Sequence, residues 1–142
     1  GGDGADIAIM GRDAAQLGAG MVFAGGEALR AAPGDVPYAA GTLMIAPPEW
    51  ADVADKPALD AFAAANIVPE GYALPAYAAV QIAVAASALA QSDGKPLTEV
   101  LGDRDFPTAI GPIRFNEKGD LSQNPYRAFR FDGARFVPVE TN

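Results

Sequence analysis

The sequence predicts an α/β fold, and three observations lead there. Short apolar runs stop at Gly or Pro: Ala5 to Gly11, Met21 to Ala24 before Gly25-Gly26, and Gly41 to Ala46 before Pro47-Pro48. Ala-rich segments separate or follow them, the longest running from Tyr72 to about Gln91. Half of the 142 residues are hydrophobic, while 16 Gly and 12 Pro interrupt the chain too often for a helical bundle. Continuous apolar runs are the mark of buried parallel strands, and strands alternating with helical segments build βαβ units.

Taken in order, Ala5 to Gly11 is expected as the first strand, Met21 to Ala24 as the second and Gly41 to Ala46 as the third. The nine residues from Arg12 to Gly20 are short for a crossover with its helix, which takes at least about 10–12. The stretch from Leu29 to Ala40, with Pro33, Gly34 and Pro37, is short as well, so the reading favours residues of a parent protein being absent here. Lys56-Pro57-Ala58 opens a helix to about Ala65, with Pro57 in its first turn, and Asn66 and Pro69-Glu70-Gly71 close it. Tyr72 to Gln91 is a helix with Leu74, Ala78, Gln81, Ala85 and Leu89 on one face. Its Ala content and the interruptions at Pro75, Gln81 and Ser87 suit a buried helix of a soluble protein and not a membrane span. Pro96 to Gly102 is a further short helix. Strands are expected over Ile110–Phe115, Tyr126–Phe131 and Arg135–Val139, with Asp132-Gly133 marking a two-residue hairpin between the last two.

Composition removes several functions. A formal net charge of −8 without a basic cluster argues against nucleic acid and anionic membrane surfaces. Without Cys or His, the usual zinc sites, thiol nucleophiles and histidine acid/base chemistry are gone. No Walker-type glycine pattern follows a strand, and Glu117-Lys118-Gly119-Asp120 has too few, badly spaced oxygens for a calcium loop and reads as a turn. No enzyme activity, metal or cofactor is expected. The lack of Cys does not decide the compartment, and no signal peptide opens the chain.

Four ordered segments carry a family resemblance. They are Phe23-Ala24-Gly25-Gly26-Glu27-Ala28-Leu29, then Gly41-Thr42-Leu43-Met44 with Pro47-Pro48, then Pro69-Glu70-Gly71-Tyr72 running into Tyr77-Ala78-Ala79-Val80-Gln81, and Thr108 to Asp120. With Tyr126-Arg127 and Phe131-Asp132-Gly133 at the end, the chain resembles the C-terminal portion of the periplasmic Leu/Ile/Val-binding proteins that serve ABC importers. The resemblance implies a type I periplasmic binding protein fold: two α/β lobes joined by hinge strands and closing on a ligand. Such proteins are roughly two to three times this length, so most of the first lobe would be missing. Residues 1–46 would belong to the second lobe, 47–115, with the helix 72–91, to the end of the first, and 116–142 to the hinge return and a C-terminal hairpin.

Three residues are weighed as ligand contacts. Glu27 follows two glycines at a strand end, where ligands of open α/β sheets bind, and in the family a carboxylate at the matching position receives the ligand's α-ammonium group. The plainer account is an acid capping the next helix. Tyr72 opens the long helix where relatives set an aromatic ring against the ligand side chain, or it is an ordinary packed aromatic. Arg12, after the strand-ending Gly11, could grip a carboxylate, or it lies exposed beside Asp13. Tyr77 is expected to face the core, and Trp50 to be structural.

The resemblance therefore implies the substrate-binding component of an ABC importer: a periplasmic carrier of an amino acid or related small carboxylate, with the membrane permease as partner. A sensory or regulatory module of the same fold is the alternative, as is an inactive fragment of such a carrier that self-associates through uncovered edges.

Overall fold

Asp3 caps a helix where the apolar run suggested a strand. In the computed structural model, which describes residues 3–102 and 104–140, α1 spans Gly4–Gln16, and the Asp3 carboxylate accepts from the Ala5 N–H at 3.2 Å. Gly4, Ala8 and Gly11 form its buried stripe at helical spacing, while Ile9 and Met10 are exposed. The expectation for Ala5–Gly11 is thus corrected. A short apolar run does not by itself separate strand from helix, and here a capped, Ala-rich, proline-free segment of 13 residues decides for helix. Gly18, with φ +68°, ends it by taking the left-handed conformation. Without a strand before Arg12 there is no crossover to be too short, and that argument for missing residues falls.

The chain divides into two units, Gly1–Pro47 with Pro125–Asn142, and Pro48–Asn124. In the first, β1 (Ala24–Gly25), β2 (Leu43–Ala46), β5 (Arg127–Phe131) and β6 (Phe136–Pro138) form one sheet in the order β1-β2-β5-β6. The pair β1-β2 is parallel and the other two are antiparallel, so the sheet is mixed. A 3-10 helix at Glu27–Arg30 lies in the β1-to-β2 crossover. The core gathers Ala8, Leu29, Tyr38, Met44, Ala46 and Phe129. Tyr38 packs edge-on against Phe131 and Phe136, with ring centres 5.7 and 5.5 Å away. The final hairpin is present, but its ladder closes at Phe131–Phe136, leaving Asp132–Arg135 as a four-residue loop in place of the two-residue turn expected. The Asp132 carboxylate accepts from the Ala134 and Arg135 N–H groups, and Gly133 takes φ +110°.

The second unit holds α2 (Trp50–Val53), α3 (Lys56–Ala64), α4 (Ala73–Asp93), α5 (Leu97–Gly102) and the antiparallel hairpin β3 (Phe106–Thr108) and β4 (Gly111–Ile113). Asp55 caps α3 by accepting from the Ala58 N–H at 2.8 Å, and Pro57 sits in the first turn, where its missing donor costs nothing. Gly94, with φ +63°, closes α4. The buried stripe of α4 is Leu74, Ala78, Ile82 and Ala86, flanked by the expected Gln81, Ala85 and Leu89. Its opposite side is apolar but open, with Val80 and Val84 both exposed, so the helix is buried on one stripe and not all round. By length and apolar content α4 could also cross a membrane, but its packed stripe equally suits a core helix. Trp50 packs on the Ala58–Leu74–Ala109 cluster, whereas Tyr77, expected inside, leans edge-on against Phe62 at 6.0 Å and stays partly exposed. The Glu117–Asp120 segment is a turn: the Asn116 side chain accepts from the Lys118 and Asp120 N–H groups.

Candidate functional site

Glu27 is built into place by glycine. β1 ends at Gly25, Gly26 continues in extended conformation, and Glu27 then opens the 3-10 turn at the carboxyl end of a parallel strand. A side chain at Gly25 would put its Cβ 2.9 Å from Leu29 Cδ1, so the turn folds back onto the strand as closely as it does because position 25 has none. Leu29 is 2% exposed and lies in the core of the first unit, which stabilises the turn by about 1.5–3 kcal/mol. Glu27 itself is half-buried.

At the other end of the turn, Arg30 Nη2 donates to the Pro47 carbonyl, and the guanidinium carbon stands 5.4 Å from the centre of the Phe129 ring. Nothing local in the sequence singles Arg30 out. Its only signal was a basic side chain three positions after Glu27, and neither partner is close in sequence.

Tyr72 stands at the N-terminus of α4, and its carbonyl accepts from the Ala76 N–H at 2.9 Å. Gly71, with φ +55°, and a bond from the Ala73 N–H to the Glu70 carbonyl shape the turn before it. Tyr72 is 63% exposed. Arg12 does not follow a strand: it lies on the exposed face of α1, where Nε and Nη2 both hold Asp13 Oδ1, at 2.8 and 2.7 Å. The strand-end geometry expected for Arg12 is therefore absent, and the exposed pairing with Asp13 is what the structure has. Glu27 and Arg12 lie on different elements of the first unit, and Tyr72 belongs to the second.

No family model matches the chain. It is 36% identical over 88 residues to a Leu/Ile/Val-binding protein of Rhizobium johnstonii, a match spanning 60% of this chain and 24% of the relative. It is 36% identical over 90 residues to a Leu/Ile/Val-binding protein homologue of Brucella melitensis, again 24% of that protein. A leucine-, isoleucine-, valine-, threonine- and alanine-binding protein of Pseudomonas aeruginosa is 35% identical over 82 residues, 22% of its length. The matches thus span about a quarter of these relatives. Among solved structures, a leucine-binding protein of Thermotoga maritima superimposes with a TM-score of 0.62 at 18% identity, covering 98% of this chain and 42% of that one. An extracellular ligand binding receptor of Desulfohalobium retbaense gives 0.57 at 22% identity, over 98% of this chain and 25% of that one. Over 60% of its length the chain is thus similar to the Leu/Ile/Val-binding proteins, and its fold is that of part of a type I periplasmic binding protein.

Proposed function

We propose that these residues belong to the substrate-binding component of an ABC importer, which captures an amino acid or a related small carboxylate and delivers it to a membrane permease. The observation that carries the reading is the likeness, at 35–36% identity, to three proteins named for binding branched-chain and small amino acids. The same likeness supports an extracellular or periplasmic location and a binding role without chemistry. On this reading residues 1–46 come from the second lobe, 47–115 from the end of the first, and 116–142 from the hinge return and hairpin. The break between the two units after Pro47 supports the first of these boundaries.

In this proposal Glu27 receives the ligand's α-ammonium group, a charge-assisted bond of about 1.5–3 kcal/mol in a water-poor cleft. Its support is a half-buried carboxylate at the carboxyl end of a parallel strand. Tyr72, an exposed ring at a helix start, is proposed to cover the ligand side chain. Arg12 enters only through the resemblance, since its partner here is Asp13. Expressed alone, the 142-residue chain is proposed to self-associate, because Val80 and Val84 leave an apolar face of α4 open.

Calorimetric titration of the full-length gene product with leucine, isoleucine, valine, threonine and alanine tests the reading. Saturable binding of at least one is expected, weakened by at least about tenfold in Glu27→Ala. Absence of saturable heat with all five would sink it.

A further inference from the structure

Glu27 and Arg30 are the first and last residues of one four-residue 3-10 turn. So short a turn has little stability of its own, because 3-10 hydrogen bonds are poorly aligned and one turn fixes several dihedrals for few bonds. Its orientation must come from tertiary anchors, and Leu29 and Arg30 provide such anchors among the described residues. Leu29 is buried against Gly25 and the core, which fixes how far the turn stands off the sheet. Arg30 reaches across to Pro47, directly after β2, while its plane lies near the ring of Phe129, which pairs with Met44 in the middle of the β2-β5 ladder. A guanidinium can donate to a carbonyl and stack on an aromatic ring at once, whereas an ammonium offers a point charge without the plane.

We propose that Arg30 is the positioning residue for the Glu27 carboxylate. It touches no ligand; it ties the turn to β2 and β5, so that Glu27 meets the α-ammonium group of an amino acid in a fixed orientation. A displacement of the turn by a fraction of an ångström at Arg30 is carried through Leu29 and Ala28 to Glu27, and binding groups held about 1 Å too loosely lose much of their worth. The inference rests on the reading of Glu27 as the ammonium acceptor.

The test is a double-mutant cycle in the full-length gene product, titrated calorimetrically with whichever of the five amino acids binds tightest, with folding checked by circular dichroism. Arg30→Met is expected to weaken binding about tenfold, and Glu27→Asp, which keeps the charge but shortens the reach, by a similar factor. If Arg30 acts through Glu27, the double variant binds no more than about 20-fold worse than the natural protein, well short of the product of the two factors. Arg30→Lys retains one donor without the stacking plane and is expected to fall between Arg30→Met and the natural protein. Costs that multiply, or an Arg30→Met protein with natural affinity, overturn the proposal while leaving Glu27 in place. If Glu27→Asp has no effect, the ammonium reading itself fails and the role of Arg30 falls with it. That outcome is distinct from the failure of Arg30 alone.

Discussion

Gln81 Oε1 accepts a hydrogen bond of 2.8 Å from the Ala109 backbone N–H, across 28 positions of sequence. Ala109 is almost fully buried in the bend between β3 and β4, and its carbonyl accepts from the Asp55 N–H at 2.7 Å. Both backbone groups of one buried residue are therefore satisfied from helices: the donor by a side chain of α4, the acceptor by the N-cap of α3. An amide on an otherwise apolar helix is explained by this, since water cannot reach Ala109 to do the same.

The first prediction follows from that bond. Gln81→Leu leaves the Ala109 N–H buried without a partner and should cost about 1–3 kcal/mol, while Gln81→Glu keeps an acceptor and should cost less. Urea unfolding of the 142-residue chain, followed by fluorescence of Trp50, measures both. Trp50 is the sole tryptophan and packs on the cluster that contains Ala109. Equal stability of the Leu variant and the natural chain would show that the bond carries no net weight.

Gly25 gives the second. A methyl group there meets Leu29 Cδ1 at 2.9 Å and Cγ at 3.1 Å, so the buried Leu29 side chain must shift within the core. Gly25→Ala should therefore destabilise the chain by about 1–3 kcal/mol through overpacking. On the proposed reading of Glu27 as the ammonium acceptor, it should also loosen amino-acid binding, because the displaced turn carries that residue. A smaller partner, Leu29→Val in the Gly25→Ala background, should recover part of the stability. No recovery would mean that the strain lies elsewhere.

How much of this was legible in the sequence depends on the kind of signal. Helices α3 and α4 were readable because Pro57 and the Pro69-Glu70-Gly71 break are local start and stop signals that act within one turn. β2 and the final hairpin were readable from apolar runs that end at Pro47 and at Asp132-Gly133. Residues 5–11 were misread because Ile7–Met10 is apolar all round, so its periodicity is mute, and the capping Asp3 outside the run was decisive. Tyr77 was misjudged because α4 is apolar on both sides, and only packing tells which stripe is inside. Arg30 was invisible for a different reason: Pro47 and Phe129 are brought to it by sheet pairing, which no local pattern encodes.

The third prediction concerns alkaline pH. Burial pushes the Tyr38 phenol above its ordinary value, and the charge of Asp3 adds to the effect. Because the folded-state value is the higher one, this contribution to stability is complete below the unfolded value of about 10 and is lost as pH rises through the folded one. Stability of the natural chain should fall in that range. Tyr38→Phe keeps the edge-on packing against Phe131 and Phe136 but loses the 3.2 Å bond to the Ala31 carbonyl. It should be slightly less stable at neutral pH and show a shallower alkaline decline. Parallel pH profiles for the two proteins would contradict the assignment.

The last prediction separates the two sides of α4. Ile82 is 7% exposed and lies with Ala86, Val100 and Phe106 in a core cluster, whereas Val84 is 67% exposed on the same helix. Truncating Ile82 to Ala removes buried methyl and methylene groups and leaves a cavity, at a cost of about 2–4 kcal/mol. Truncating Val84 to Ala removes surface that faces outward and improves helix propensity, so stability should stay within about 0.5 kcal/mol. Both are read from urea unfolding of the 142-residue chain at a concentration where light scattering shows monomer. That condition matters, because a second molecule covering Val84 would make its truncation costly and bring the two numbers together. Similar losses at both positions in the monomer would mean that α4 is rotated from the packing described, with Val84 and not Ile82 facing the β3-β4 hairpin.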